Sequence, residues 1–273
     1  MTEAFLTALR TEVGDALSTD AHELESLRRD RSGQVSAAAP LAVVNATSIE
    51  EVQATLRLAN EHGIPVVPRG TGTGLSGAAM ATAGELVLST ASMARILEIN
   101  EADQLAVVQP GVINGDLNRE LEKFGLWWAP DPASKDIASI GGNIANNAGG
   151  LLCAKYGVTR EAVLGLKVVL ADGTLLEIGH RTVKGVTGYD LTALFIGSEG
   201  TLGVIVEATL KLLPVVPGTP TTISAYFPSI RAAAAASAAI TAAHIRPSVM
   251  ELLDALCVQY VHEYLELEQK SPG

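Results

Sequence analysis

Apolar residues recur along the chain with two different periods, which predict helices and strands in alternation. Near the N-terminus, Leu9, Val13 and Leu17 follow the four-residue spacing of a helix face, so residues 1–30 are predicted to be helical. Residues 32–40 are rich in Ser, Gly and Ala and predict a connector.

A strand–helix–strand unit is predicted next. Residues 41–44 form a short apolar run, and Ser48 followed by Glu51 has the spacing of a helix-capping box. The helix is predicted to end at Gly63, which suits a left-handed C-terminal cap. Residues 64–67 then predict a buried strand.

The middle of the chain mixes both periods without a repeated strand–helix unit. The predicted elements are strands at 85–88 and 105–108, a helix at 115–124 ended by Gly125, and a hairpin of 163–170 and 174–178 around Asp172-Gly173. Residues 202–213 alternate, which predicts a strand with Val204, Val206, Ala208, Leu210 and Leu212 on one face. This mixture indicates an α+β fold.

The C-terminal part has a different pattern. Residues 214–220 are rich in Pro, Gly and Val and predict a linker. Residues 222–227 predict a strand, the Ala-rich run 232–243 a helix, and residues 248–267 a second helix. About fifty residues after the linker make a thin core for an independent domain.

Composition and charge narrow the function classes. The 273 residues are 48% hydrophobic and 18% charged, enough apolar material for a large core. The net charge of −11 and the absence of a basic stripe argue against nucleic acid or an anionic membrane as a partner. An anionic ligand needs only a local positive site, so it stays possible.

The sequence gives no indication of a metal site, a disulfide framework or a transmembrane segment. The two cysteines are far apart, and the five histidines are scattered without metal-ligand spacing. No apolar run reaches transmembrane length, and the first residues lack the apolar core of a signal peptide. We therefore expect no metal site and a cytoplasmic protein.

The strongest chemical motif is PRGTGTGLSG at residues 68–77, directly after a predicted strand. Glycines at alternate positions let successive N–H groups converge on one point, which suits phosphate oxygens. Arg69 could add charge or tie the loop to the sheet. The motif lacks the GK[ST] of a Walker A loop and does not complete GxGxxG. A tight turn without ligand is the alternative interpretation.

Two further clusters are rich in small residues. The first comprises PDPAS at 130–134 and SIGGNIANNAGG at 139–150, where small residues permit close approach to a flat ring and Asn side chains offer donors and acceptors. The second runs from Lys184 to Asp190 and on through GSEGTLGVI at 197–205. Each cluster taken alone could be an ordinary surface turn.

Taken together and in order, these motifs and RPSVMELLD at 246–254 resemble the FAD-binding domain of the vanillyl-alcohol oxidase and p-cresol methylhydroxylase superfamily. The most similar branch is the group of glycolate oxidase, D-lactate dehydrogenase and D-2-hydroxyglutarate dehydrogenase. The resemblance covers about residues 36 to 254. It implies a two-lobed α+β domain of the p-cresol methylhydroxylase type, with FAD between its lobes.

The resemblance also implies contacts to FAD, residue by residue. Expected at the pyrophosphate are Pro68, Arg69, Gly70, Thr71, Gly72, Thr73, Gly74, Ser76 and Gly77. Expected along the isoalloxazine and ribityl chain are Pro130, Asp131, Ser134, Ser139, Gly141, Gly142, Asn143, Asn147 and Gly149. Expected at the adenosine or the phosphates are Glu199, Gly200, Gly203, Val204 and Ile205. Thr73 stands where relatives with covalent flavin often have His, which favours non-covalent FAD.

The implied reaction is oxidation of a small D-2-hydroxy acid to the 2-oxo acid by hydride transfer to the flavin. Electrons would then pass to a quinone or an electron-transfer protein. The implied division is a helical segment at 1–35, the FAD-binding domain at 36–215 and the start of an α+β cap domain at 221–273.

Relatives continue through a longer cap, which carries the residues expected to hold substrate, so no catalytic residue can be named. Two alternatives stay open. One is a flavin-binding module that is inactive without its cap or a partner chain. The other is a different alcohol or sugar oxidase of the same fold.

Overall fold

The computed structural model describes residues 2–266, which form an α+β protein built on two main sheets. The helices are α1 (Thr2–Val13), α2 (Ala21–Ser26), α3 (Ile49–His62), α4 (Asn114–Leu121), α5 (Ile140–Ala145), α6 (Cys153–Tyr156), α7 (Leu191–Phe195), α8 (Ile230–Ala242) and α9 (Ala255–Tyr264). The strands are β1 (Leu17–Ser18), β2 (Ala42–Asn45), β3 (Val66–Arg69), β4 (Leu86–Ser89), β5 (Ile96–Asn100), β6 (Leu105–Val108), β7 (Leu126–Trp127), β8 (Val163–Val169), β9 (Leu175–Gly179), β10 (Val204–Lys211) and β11 (Leu213–Pro214).

The first sheet has the order β1-β2-β4-β3, with β2, β4 and β3 parallel. Helix α3 connects β2 to β3 and buries Val52, Leu56 and Ala59 against this sheet. The Ser48 hydroxyl accepts the N–H of Glu51 at the start of α3, and Gly63 ends it in the left-handed conformation. The predicted strand–helix–strand unit is therefore confirmed.

The second sheet has the order β5-β6-β10-β8-β9, and every pair in it is antiparallel. Its core surrounds Trp128, which is fully buried and donates its indole N–H to the Ala162 carbonyl at 3.0 Å. The predicted hairpin is confirmed as β8 and β9, with Gly173 in the left-handed conformation at the turn.

Strand β10 joins the two cores, because a bulge interrupts its alternation. The register shifts between Ile205 and Glu207, which leaves Val206 as an extra residue opposite β8. Val204 and Val206 pack in the core of the first sheet, whereas Ile205 and Ala208 pack in that of the second. The prediction that Val204 and Val206 share a face with Ala208, Leu210 and Leu212 is therefore wrong.

The N-terminal region is less helical than predicted. Helix α1 ends at Val13, and Leu17 lies in β1, where it pairs with Val44 of β2. Leu17 is buried in that position, so the edge of the first sheet outweighs the helical spacing. Strand β3 is only half-buried because it lies at the opposite edge, which corrects the prediction of a buried strand at 64–67.

The part after β11 differs most from expectation. Residues 222–227 form no strand, because no neighbouring strand pairs with them within the described chain. Helix α9 starts after Asp254, whose side chain accepts the N–H of Cys257, so the helix predicted from 248 begins later. Leu267, its predicted end, lies outside the described residues. Every residue from 215 to 266 is at least partly exposed.

Within residues 2–266, no helix has both the length and the apolar character needed to cross a bilayer.

The bulge in β10 predicts a clear difference between two substitutions on that strand. Val206→Ala removes buried apolar volume from the core of the first sheet and should lower the free energy of unfolding by about 2 kcal/mol. Lys211→Ala, on the same strand but half-buried, should change it by less than about 0.5 kcal/mol. Urea unfolding of both flavin-free variants measures the two values, and equal losses would contradict the assigned packing.

Candidate functional site

A cleft that is open to solvent lies where the three small-residue clusters meet. It is lined by the loop after β3, by α5 and by the segment that enters β10. Fifteen of the predicted site residues line it: Pro68, Arg69, Gly70, Thr71, Gly72, Thr73, Gly74, Ser76, Gly141, Gly142, Glu199, Gly200, Gly203, Val204 and Ile205. The structure thus brings together residues that are far apart in sequence.

The glycine-rich loop starts at the carboxyl end of β3, whose last carbonyl accepts the N–H of Thr90 at 2.9 Å. Gly72 has φ of +70° and Gly77 has φ of +85°, so two of the loop's glycines occupy a conformation that other residues rarely adopt. A Cβ on Gly72 would collide with the guanidinium group of Arg69. The loop therefore folds tightly over the Arg69 side chain.

The Arg69 side chain fastens this loop through hydrogen bonds to two backbone carbonyls. One guanidinium nitrogen donates to the Ala79 carbonyl, and the other donates to the Arg29 carbonyl at 3.0 Å. Burial lowers the pKa of Arg69, and the negative charge of Asp30 opposes that shift. Of the two roles that the sequence allows for Arg69, fastening the loop is the one with direct contacts.

The backbone N–H groups of residues 71–77 make no hydrogen bond within the described chain. Unpaired main-chain donors need water or a ligand as acceptor, and several in succession make an anion-binding concavity. The hydroxyls of Thr71, Thr73 and Ser76 also border the cleft. This donor set fits a phosphate group, and the narrow glycine walls fit a flat, extended cofactor.

Helix α5 contributes the second wall. The Ser139 hydroxyl accepts the N–H of Gly142 at 3.3 Å, and a Cβ on Gly70 would lie 2.5 Å from that hydroxyl oxygen. A Cβ on Gly141 would lie 2.5 Å from Cβ of Pro110. Glycine is needed at 70 and 141 for contact between protein segments, before any ligand is considered.

The third wall is anchored to the end of α5. The N–H of Gly197 donates to the Ile144 carbonyl at 3.0 Å, and the N–H of Glu199 donates to the Ala145 carbonyl at 2.9 Å. Glu199 has φ of +50°, and a Cβ on Gly200 would lie 2.8 Å from Cγ of Pro68. The segment before β10 is thus held against both other walls.

Eight predicted site residues do not line the cleft: Gly77, Pro130, Asp131, Ser134, Ser139, Asn143, Asn147 and Gly149. Several of them organise the surrounding backbone. Asp131 accepts the N–H of Leu152 at 3.1 Å, and Asn147 accepts the N–H of Arg160 at 3.0 Å. Asn143 is 3% exposed, and its side-chain nitrogen has no partner in the described chain.

Sequence reasoning missed six residues of the cleft: Ala78, Ala79, Thr90, Pro110, Ala145 and Asn146. The motifs already contained a signal for some, because Ala145 and Asn146 lie inside the 139–150 cluster. Thr90 and Pro110 carry no local signal. They reach the cleft because β4 pairs with β3 and because the N–H of Gly141 donates to the Pro110 carbonyl at 2.8 Å.

No group of three or more His, Cys, Asp or Glu residues in the described range could hold a metal ion. Both cysteines are free thiols, with Cys153 half-buried and Cys257 exposed.

Family comparisons agree with this geometry. A family model described as an FAD binding domain matches residues 40–179, and one described as the C-terminal domain of FAD linked oxidases matches residues 217–273. Among solved structures, alkyldihydroxyacetonephosphate synthase superposes with a TM-score of 0.76 at 25% identity, over 90% of this chain and 47% of that one. The structure of p-cresol methylhydroxylase with bound substrate superposes with a TM-score of 0.70 at 25% identity, over 79% of this chain and 44% of that one. These likenesses confirm the predicted α+β fold of the p-cresol methylhydroxylase type.

Curated relatives carry related names. The glycolate oxidase subunit GlcD of Bacillus subtilis is 46% identical over 84% of this chain and 48% of its own. A D-2-hydroxyglutarate dehydrogenase of Stutzerimonas stutzeri is 48% identical over 77% of this chain and 45% of its own. A D-lactate dehydrogenase of Anaerostipes hadrus is 42% identical over 75% of this chain and 42% of its own. The chain spans about half the length of the curated relatives it matches.

The contact between Asp131 and Leu152 predicts how exposed Cys153 becomes when the carboxylate is removed. Because the loop at 149–152 is held by Asp131 and the Cys153 thiol accepts the N–H of Gly150, Asp131→Ala should speed labelling of Cys153 about fivefold or more. A Cys257→Ser background removes the exposed thiol. Asp136→Ala, which removes an exposed carboxylate nearby, is the control and should leave the labelling rate unchanged.

Proposed function

Because this chain belongs to the FAD-binding domain family of FAD-linked oxidases, we propose that it holds FAD non-covalently and oxidises a small D-2-hydroxy acid to the 2-oxo acid. The relatives named above as acting on glycolate, D-lactate and D-2-hydroxyglutarate support this substrate class. A quinone or an electron-transfer protein would take the electrons from the reduced flavin.

The observation that carries the proposal is that the backbone N–H groups of residues 71–77 have no hydrogen-bond partner in the described chain. Most of this loop lines the same cleft as two further glycine-rich walls. A pyrophosphate would accept hydrogen bonds from these groups without requiring a formal positive charge at each oxygen. The remaining walls, at 141–146 and 199–205, would border the rest of FAD. No histidine is among the described residues that line the cleft, and Thr73 occupies the corresponding part of the loop.

Cofactor binding and substrate binding would fall to two different domains. We assign residues 36–215 to the flavin domain, preceded by a helical segment at 1–35, and residues 221–273 to the start of a substrate-binding cap. The matched ranges of the two family models, 40–179 and 217–273, support this division.

When bound, FAD supplies the acceptor for the hydride that leaves the hydroxyl-bearing carbon of the substrate. The chain's own residues hold and orient the cofactor. The unpaired N–H groups of the loop that line the cleft would hold the phosphates, and Arg69 fastens that loop to the Ala79 and Arg29 carbonyls. The contacts between Gly70 and Ser139, and between Gly200 and Pro68, keep the walls at a constant separation.

A second candidate function is a flavin-binding module that works only with a longer cap or a partner chain. The exposed apolar side chains between 215 and 266 support it, because Ile223, Tyr226, Leu253 and Tyr264 are each more than half exposed. Large apolar side chains exposed in this number are typical of a segment that another polypeptide covers.

An anaerobic titration of the flavin-loaded chain separates these functions. We expect the visible absorbance bands of oxidised flavin to bleach with glycolate, D-lactate or D-2-hydroxyglutarate, while L-lactate leaves them unchanged. Bound flavin that resists all three acids would favour the module. A chain that takes up no FAD on reconstitution would contradict both functions.

We expect Gly72 to be the position in the glycine-rich loop where an added side chain weakens FAD binding most. Gly72→Ala forces a side chain into a left-handed backbone and onto the Arg69 guanidinium, so we expect the FAD dissociation constant to rise at least about tenfold. Fluorescence titration with FAD measures it.

Gly63→Ala is the matched control for that change. Gly63 has a similar φ of +64° but open space around it, and it lies outside the cleft. This variant should lose some stability and keep its affinity for FAD. Equal affinities of the two variants would contradict the position given to the phosphates.

A further inference from the structure

Residues 27–36, here called the strap, contact the glycine-rich loop at its middle and the segment just after it. The N–H of Arg31 donates to the Gly74 carbonyl at 3.1 Å, and the N–H of Ala81 donates to the Leu27 carbonyl at 3.2 Å. The side chains of Leu27 and Ala81 also pack in one small apolar cluster with residues of β2 and β4. No strap residue lines the cleft, so these contacts support the loop from outside the binding surface.

The Arg69 side chain is a third link between the strap and the loop. Its guanidinium donates to the Arg29 carbonyl on the strap at 3.0 Å and to the Ala79 carbonyl after the glycines. A guanidinium carries five N–H donors in one rigid plane, so a single side chain can hold two carbonyls in a fixed relation. The turn at Gly72 is folded against the same group. The strap is thus joined to the loop before, within and after its glycines.

The strap keeps its own shape through hydrogen bonds between its two ends. Arg29 and Val35 form an antiparallel bridge, and the N–H of Ser36 donates to the Arg28 carbonyl at 2.9 Å. In return, the Ser36 carbonyl accepts from Nε of Arg28 at 3.0 Å and from Nη2 of the same side chain at 2.6 Å. The half-buried side chain of Arg28 therefore closes the strap.

The glycine-rich loop has little of its own to fix its shape. None of residues 70–77 is buried, and the N–H groups of 71–77 make no hydrogen bond within the described chain. Glycine loses more conformational freedom on ordering than any other residue, so a loop of this composition is costly to hold in one form. A ligand that binds only one form of a loop binds more weakly when that form is less populated. Support from the strap should therefore be measurable as affinity.

We propose that the strap is a positioning element of the phosphate site: its backbone groups bond Gly74, the Arg69 side chain and Ala81, and so hold the glycine-rich loop in the shape that receives FAD. The inference rests on the proposed binding of FAD at this loop. The strap lies before residue 40, where the match to the FAD-binding family model begins, and most of it precedes the flavin domain assigned to 36–215. The functional unit of the flavin site then extends back to residue 27.

Coupling of this kind is reciprocal, because a strap that favours the FAD-binding shape of the loop must itself be stabilised by bound FAD. The N–H of Arg31 reports on this directly, since its hydrogen bond to Gly74 opens when strap and loop separate. We expect saturating FAD to slow deuterium exchange at this N–H at least about tenfold. NMR spectra of the unaltered chain, with and without FAD, measure the rate.

The N–H of Val215 is the control for that exchange rate. It donates to the Gly125 carbonyl at 2.9 Å, Val215 is exposed like Arg31, and neither Val215 nor Gly125 lines the cleft. FAD should change its exchange by less than about twofold, because a local opening there does not involve the loop. Unchanged exchange at Arg31, or equal slowing at both N–H groups, would overturn the proposal.

Arg28→Gln tests the same coupling from the side of the strap. The change removes both side-chain bonds to the Ser36 carbonyl and the ion pair with Glu25, while other groups make every bond between strap and loop. We expect the FAD dissociation constant to rise about tenfold, as for the loss of a charge-assisted hydrogen bond. Fluorescence titration measures it, and the thermal midpoint without FAD shows whether the variant folds. The exchange experiment uses the unaltered chain, so it tests the proposal even if Arg28→Gln does not fold.

Arg119→Gln is the matched control for that substitution. Arg119 also forms an ion pair with an acidic residue three positions earlier, Asp116, but it bonds no backbone carbonyl in the described chain and does not line the cleft. This variant should bind FAD like the unaltered chain. Equal losses in the two variants would mean that the removal of any surface cation weakens binding, and would overturn the proposal.

Salt separates support of the loop from attraction between charges. The loss caused by Arg28→Gln should persist at about 0.5 M sodium chloride, where attraction between exposed charges is largely screened. A loss that disappears in salt, or unchanged binding by the folded variant, would overturn the proposal. Failure of the unaltered chain to bind FAD would instead overturn the proposed function, and the inference with it.

Discussion

The cleft depends on backbone segments that approach one another more closely than any side chain permits. Gly70 meets the Ser139 hydroxyl, Gly141 meets Pro110 and Gly200 meets Pro68, each where an added Cβ would lie within 2.8 Å of a neighbouring atom. These contacts bring the loop after β3, helix α5 and the entry to β10 into one site. The glycines therefore help to set the width of the cleft before they serve any ligand, and a Cβ at Gly141, which packs on Pro110, would force two of its walls apart.

Strand β10 makes these walls part of a single folded unit. The bulge at Val206 turns successive side chains of β10 towards different cores, so the same strand completes the packing of both sheets. Its first residues, Val204 and Ile205, also line the cleft. This part of the cleft therefore belongs to the buried core, whereas no residue of the glycine-rich loop at 70–77 is buried.

An acidic protein can bind an anion only where the binding site itself provides suitable donor groups. Here the net charge is −11, and the cleft offers unpaired main-chain N–H groups instead of a cluster of cations. The cationic side chain that borders the cleft, Arg69, donates to the Ala79 and Arg29 carbonyls. Main-chain dipoles held in a fixed geometry can bind an anion without a formal positive charge.

Much of the fold and of the site could be predicted because the signals are local. Ser48 and Gly63 mark the ends of α3 by backbone chemistry that neighbouring residues decide, and Asp172-Gly173 marks a hairpin for the same reason. The PRGTGTGLSG motif likewise indicates a tight loop, since alternate glycines permit that curvature wherever they occur. Only tertiary structure decided that Leu17 joins a sheet, that β3 is an edge and that Val206 faces the other core. These outcomes depend on which strands pair, and pairing joins residues far apart in sequence. For the same reason, no local pattern revealed that Thr90 and Pro110 line the cleft.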